Sequence, residues 1–393
     1  MLVPSRADRV RGSLLGLAVG DALGAPLEGL SAQQVRAHYG LVTDYVDGAK
    51  AWKKKPYRWR LPGLYTDDTQ QALALVDVLL ATGRLDVDRL AALYIDLATP
   101  DHGYAGAHRG VGKSFRQVLA DLKRGVSPQL TGQASAGLGA AMRIAPVGLY
   151  FADDPEGLFE AVMAASLMTH RDIRSLSAAM AVAMAAARLL NEPARDPSFV
   201  LWLAADVQRA EDRIAAQFGR TVASLGAYRR SVSDAIAHVE SVLDQPRDRA
   251  IASIVDEANR HGPDSPLRRP TQGFPPACLP TCLYLLLTTD SLEEALVDVV
   301  NLGGDADTAG AILGALAGLL YGASGLPDRW LLGLQNADGI DARAVALHRK
   351  SARGLEIPDL VPREHELTAL EGRNRESLLS HPPYGGDLGA SRV

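Results

Sequence analysis

Apolar positions along this chain recur every three or four residues, and almost nowhere do they alternate with the two-residue period of a β-strand. Leu73, Val76, Leu79 and Leu80 form one stripe, Leu158, Val162 and Ala165 a second, and Leu176, Met180 and Met184 a third. That spacing lays side chains along one face of an α-helix. The stretch Ser175 to Leu190, SLSAAMAVAMAAARLL, is so rich in alanine that its neighbours must approach closely, which favours packed helices over a sheet. An all-α fold is expected, a compact body of many helices.

Pro- and Gly-rich breaks punctuate these stripes at 44–63, 99–112, 125–139, 191–197 and 261–276. Each has the length of a helix-to-helix connection, and none has the charge blocks of an interdomain linker. The expected organisation is one catalytic domain over residues 1–345, followed by a polar appendage or loosely ordered tail over 346–393. The N-terminal run MLVPSRADRVRGSLLGLAVGDALGA resembles an export signal in outline, but its apolar core, Ser13 to Gly20, is short and Asp21 follows it directly. No other apolar run reaches the ~20 residues of a membrane span.

With 47% hydrophobic residues in 393, the chain can bury a large core. Its formal net charge of -5 gives no long-range attraction for nucleic acid or an acidic membrane. A local exception is Lys50 to Arg60, KAWKKKPYRWR, with six basic residues, three aromatics and no acid. It reads either as a solvated loop whose rings pack down or as a contact for an anionic ligand or partner. The two cysteines, Cys278 and Cys282, offer no metal quartet, and buried reduced thiols suit a cytoplasmic setting.

Two polar knots stand at the mouths of apolar helices. Tyr65 to Gln70 reads YTDDTQ and Gly303 to Gly310 reads GGDADTAG. Capping accounts for one Thr or Asp at each mouth, because a side-chain oxygen accepts a free helix N–H and the dipole favours acids there. It leaves the second aspartate and the extra threonines without a role. If the two knots meet, their like charges would drive a pKa sharply upward unless a cation sits between them, and hard oxygen donors suit Mg²⁺. Spacing alone does not bring them together, since 237 positions separate Asp68 from Asp305. Asp305-Ala-Asp307-Thr308 is also similar in outline to the nucleophile motif of dehalogenase-like phosphoryl-transfer enzymes, but that motif follows an apolar parallel strand, which this pattern lacks.

Five segments in order, RGSLLGLAVGDALGAPLEG, YTDDTQQALAL, AAMRIAPVGLY, SLMTH and VNLGGDADTAGAILGALAGLLYG, resemble the ADP-ribosylglycohydrolase family over about Arg9 to Gly322. The resemblance implies an orthogonal multi-helix fold with a central di-metal cleft and two Mg²⁺ ions, Mn²⁺ being an alternative. It implies metal ligation by Thr66, Asp67, Asp68, Asp305, Asp307 and Thr308, with proton transfer falling to one of the four aspartates and Glu28 beside the ions and ribose. It further implies substrate contacts from Ser135, Gly137, Gly139 and His170, with Asp101 near the leaving group. Helix capping or turn formation explains Asp101 equally well. The implied reaction is hydrolysis of the bond between the distal ribose anomeric carbon of ADP-ribose and an arginine, serine or other acceptor on a protein. The alternative is a non-catalytic metal-containing module that binds ADP-ribosylated targets or a toxin partner. Leu138 stands where family members often have Asn, and Tyr65 where Trp is frequent. The expected partner is an ADP-ribosylated protein or conjugate, with no membrane and no nucleic acid, and the expected state is a monomer.

Overall fold

The computed structural model describes residues 3–100, 106–193 and 195–381. They form α-helices joined by short 3₁₀ turns and loops, and among the described residues no β-strand forms; three isolated backbone bridges pin loops together. The stripes read from the sequence lie where a helical core requires them, with Leu73, Val76, Leu79, Leu158, Val162, Leu176 and Met180 all buried.

The spine of the molecule is a pair of antiparallel helices, Arg6–Gly24 and Ala306–Tyr321, in contact along their whole length. Glycines recur every fourth residue on both. A Cβ on Gly12, Gly16 or Gly20 would lie 2.4, 2.3 or 2.0 Å from the carbonyl oxygen of Gly318, Gly314 or Gly310, so no side chain fits between the two backbones. Each such glycine costs about 1 kcal/mol of helix propensity against alanine. The return is dispersion contact between two backbones over nearly five turns.

Around this spine packs the alanine-rich helix Ile173–Asn191, buried along most of its length. It meets the short helix Ala145–Tyr150 so closely that a Cβ on Gly148 would lie 2.3 Å from the Ala183 carbonyl oxygen. By length and composition it could cross a membrane, yet 89% of its apolar window is buried inside the protein. The helix Pro275–Thr288 continues through Pro280, and both cysteines are buried free thiols, Cys282 donating to the Ala309 carbonyl at 3.5 Å.

The core runs without a break from Val10 to Leu367. The boundary expected at residue 345 therefore falls inside the helix Ala337–Arg349. Beyond it the helix Leu360–Ser380 docks through Leu360 and Leu367, with Glu364 fully buried. The segment 346–381 is part of the packed body, and the polar composition that suggested a tail belongs to the helix's outer face. Residues 382–393 lie outside the described residues.

Candidate active site

Both polar knots open helices, and the only carboxylate that takes a first-turn N–H among them is Asp307, whose Oδ1 accepts from the Thr308 N–H at 3.0 Å. Thr66 is the N-cap of the helix Asp67–Thr82 and Asp305 that of Ala306–Tyr321, and neither makes a side-chain capping bond. Their oxygens are left for something else.

The two mouths face one cleft of about 220 Å³, lined among others by Glu28, Asp67, Asp68, Asp305, Asp307 and Thr308. Asp68 is buried and its Oδ1 has no hydrogen-bond partner. Its Oδ2 lies 3.1 Å from the Thr66 hydroxyl, but that hydroxyl has one proton and lies 2.8 Å from Asp21, the shorter contact. Thr66 does not itself line the cleft. Asp67 is partly satisfied, its Oδ2 accepting from Gln71 Nε2 at 2.8 Å.

Burial first, and then the charges of Asp21 and Glu28, push Asp67 up to about 8. Burial and Glu28 push Asp305 up to about 6. Asp68 and Asp307 are held well above the ordinary carboxylate range by burial and by the acids around them, Asp305 acting on both. Charges that act on one another in this way lie close in space, so the fold has brought the two mouths together. Among the described residues no three Asp, Glu, His or Cys side chains are drawn into a ready-made cation cage. Mutual repulsion opposes such a knot in the absence of a counter-charge. Hard carboxylate and hydroxyl donors around an orphaned, buried Asp68 oxygen suit a hard divalent cation.

A carboxylate that the sequence reading did not single out organises the first mouth. Asp21 is fully buried on the Arg6–Gly24 helix and accepts from the backbone N–H groups of Thr66 and Thr69 at 2.9 and 3.0 Å and from their hydroxyls at 2.8 and 2.6 Å. Its signal in the sequence is a single acid in the apolar, glycine-striped half of the helix, Gly12 to Gly24. Two further layers hold the same segment. The Asp67 N–H donates to the Arg109 carbonyl at 2.8 Å. The buried Glu364 accepts from Tyr65 at 2.6 Å, from Gln70 at 2.7 Å and from Arg109 at 2.5 Å. Nothing local marks Glu364, because its partners are 255 to 299 positions away.

The residues expected to contact substrate also line this cleft, except Asp101. Ser135, Gly137 and Gly139 line the cleft, and Ser175 Oγ lies 2.7 Å from both the Ser135 and the Gly137 carbonyl. A Cβ on Gly139 would stand 2.8 Å from the His170 ring, so this glycine makes room for the imidazole. His170 lines the cleft, and burial followed by Arg143 pushes it down to about 3, leaving it neutral. Arg143 donates to Gln71, which in turn holds Asp67, and to Thr169 at 2.7 Å, linking the two segments. Leu138 is buried at the wall. Glu28 is half-buried at the rim, with Arg58 at 3.3 Å from its carboxylate and 3.1 Å from its carbonyl. Asp101 lies outside the described residues.

A family model described as ADP-ribosylglycohydrolase matches residues 2–356. The chain is 28% identical over 334 residues to the ADP-ribosyl-[dinitrogen reductase] glycohydrolase of Rhodospirillum rubrum, covering 84% of this chain and 92% of that protein. It is 28% identical over 365 residues to the ADP-ribosylhydrolase ARH3 of Bos taurus, covering 88% and 94%. A solved structure titled ADP-ribosylglycohydrolase-related protein complex matches with a TM-score of 0.60 at 28% identity, over 88% of this chain and 99% of that one.

Proposed function

The chain belongs to the ADP-ribosylglycohydrolase family and is a glycosidic-bond hydrolase of that kind, and from that premise we propose that it releases ADP-ribose from modified protein in a Mg²⁺-dependent reaction. The observation that carries the metal is the buried Asp68 oxygen with no partner, set among three further aspartates and Thr308 at the junction of two helix mouths. Asp67, Asp68, Asp305, Asp307 and Thr308, with a lone pair of Thr66, would hold two ions. Bound there, they would fix ribose hydroxyls and lower the pKa of a water.

The chain's own groups do the rest. The bond breaks toward an oxocarbenium-like state, so the ribose must be held while water reaches one face. Ser135 and the Gly137 backbone, pinned by Ser175, position the ADP side of the substrate against the neutral His170. A neutral imidazole can donate or accept there without adding charge beside the diphosphate. One of the clustered aspartates takes the proton of the attacking water. Glu28, at the rim, faces the ribose and the departing acceptor. Two buried reduced thiols fit a cytoplasmic setting, and the protein acts as a monomer.

The test is turnover of Asp305→Asn and Asp67→Asn on arginine-linked and serine-linked ADP-ribosyl peptides, assayed side by side across a Mg²⁺ titration. Both variants should fold and neither should release ADP-ribose. Full activity of either at limiting Mg²⁺ would falsify the mechanism, and the better wild-type substrate identifies the acceptor.

A further inference from the structure

The cleft has a second mouth. A hollow of about 300 Å³ shares Glu28, Gly110 and Gly112 with the cleft and is otherwise walled by Tyr57, Arg58, Arg60 and Arg116. Next to it, Lys50 to Lys55 line a groove of about 600 Å³ on the outer surface. The rest of the molecule carries net negative charge, so this rim is a local reversal of sign.

The basic segment is built into place. Trp52 Nε1 donates to the Pro26 carbonyl at 3.2 Å, and the buried Trp59 donates to the Trp52 carbonyl at 2.8 Å. Arg58 bonds the Glu28 carbonyl, so the segment hangs on the turn that carries Glu28 to the cleft. Anchored this way, Lys53 and Lys54 point into solvent, and Lys55, also exposed, lies over the Trp52 ring. Arg58 and Arg60 are neutralised by Glu28 and Glu371. The exposed positive charge of the rim therefore comes from Lys53, Lys54, Lys55 and Arg116.

We propose that this rim is an exosite for acidic residues that flank the modified side chain on the protein substrate. The inference rests on the hydrolase reading above, in which the ADP moiety lies toward Ser135 and Gly137 and the acceptor leaves past Glu28. A polypeptide leaving on the Glu28 side meets the basic hollow directly. An acidic peptide fits it better than nucleic acid does, because only one ring of the segment, the exposed Tyr57, is free to stack, whereas a strand needs several rings for successive bases. Trp59 is buried, and the Trp52 ring is covered by Lys55 and Arg58 at 5.2 and 5.0 Å. Complementary charge at such a rim governs encounter and selection among substrates more than chemistry.

The experiment uses the full chain and two ADP-ribosyl peptides that differ only in flanking glutamates or glutamines. At low ionic strength the acidic peptide should show kcat/KM about tenfold higher, through KM, and the gap should shrink as salt screens it. The double variant Lys53→Glu, Lys54→Glu should erase that preference while cleaving a small ADP-ribose conjugate without peptide at the wild-type rate. Equal kcat/KM for the two peptides overturns the proposal, as does a preference that survives charge reversal or stronger competition by a single-stranded oligonucleotide than by the unmodified acidic peptide. Should wild type cleave no conjugate at all, the hydrolase reading fails instead. Anisotropy of a labelled acidic peptide, compared between wild type and the double variant, then still decides the exosite.

Discussion

The two helix mouths that meet in the cleft are held in opposite ways. At Thr66 to Asp68 the chain is fixed by side chains from three other elements: Asp21 with its four bonds, Arg109, and Glu364 from the C-terminal helix. At Asp305 to Thr308 the fixing is mainly by backbone, with one side chain, the Thr271 hydroxyl, donating to the Gly303 carbonyl at 2.5 Å. The Gly304 N–H donates to the Leu30 carbonyl at 2.7 Å, the Asp305 N–H donates to the Thr271 carbonyl at 2.5 Å, and the helix behind them is zipped glycine to glycine onto Arg6–Gly24. Gly304 has a φ of +73° and a Cβ there would lie 2.0 Å from the Thr271 carbonyl oxygen, so both its conformation and its space demand glycine. A charged cluster can thus be placed either by buried hydrogen bonds or by letting two backbones touch. The first mouth can therefore be loosened by changing one side chain, whereas the second yields only to added atoms.

The most severe way to break the contrast is Glu364→Ala. It leaves Arg109 buried opposite no carboxylate, which should cost about 3–5 kcal/mol in chemical denaturation, and the Thr66 to Gln70 segment should lose catalytic competence with it. A cost below about 1 kcal/mol would mean that the C-terminal helix does not hold the first mouth. Next comes Gly314→Ala. Helix propensity alone predicts a gain of about 1 kcal/mol, whereas a Cβ 2.0 Å from the Gly16 carbonyl oxygen predicts a loss of about 3 kcal/mol or more. The sign of the change in melting temperature decides between them.

A titration in chelator separates the two mouths from each other. Asp305 is raised to about 6 and Asp67 to about 8, both above the 3.8 of an ordinary aspartate. The folded state then binds more protons than the unfolded one, so this stability is complete below about pH 4 and is lost as pH rises through 6 and then 8. The slope should approach about 1.4 kcal/mol per pH unit for each carboxylate. Asp305→Asn should flatten the lower part of the curve and Asp67→Asn the upper part. Unfolding curves of the metal-free protein that are level between pH 5 and 8 would contradict the crowding.

Much of the site was readable because its donors sit in two short, dense motifs. Asp67, Asp68, Asp305, Asp307 and Thr308 stand in the cleft, and the excess of acids beyond a cap was the local sign. Asp21 was half visible, as a charge on an apolar helix, and the four-residue glycine spacing on 12–24 and 310–318 could have paired the two helices. Glu364, Arg109 and Gln71 had no such sign. Gly139 was visible as a cleft glycine, but the room that its missing Cβ leaves for His170 was not.

What the chain fixes by itself is local: which stretches are helical, because apolar period and capping chemistry act over a few residues, and which atoms are on offer at each helix mouth. Only the tertiary structure decided that the two mouths face each other, that Asp68 keeps an unpartnered oxygen, and that a polar C-terminal helix carries a buttress for the cleft. Those outcomes depend on contacts between residues hundreds of positions apart, and such contacts are chosen by how whole helices pack rather than by any pattern within one of them.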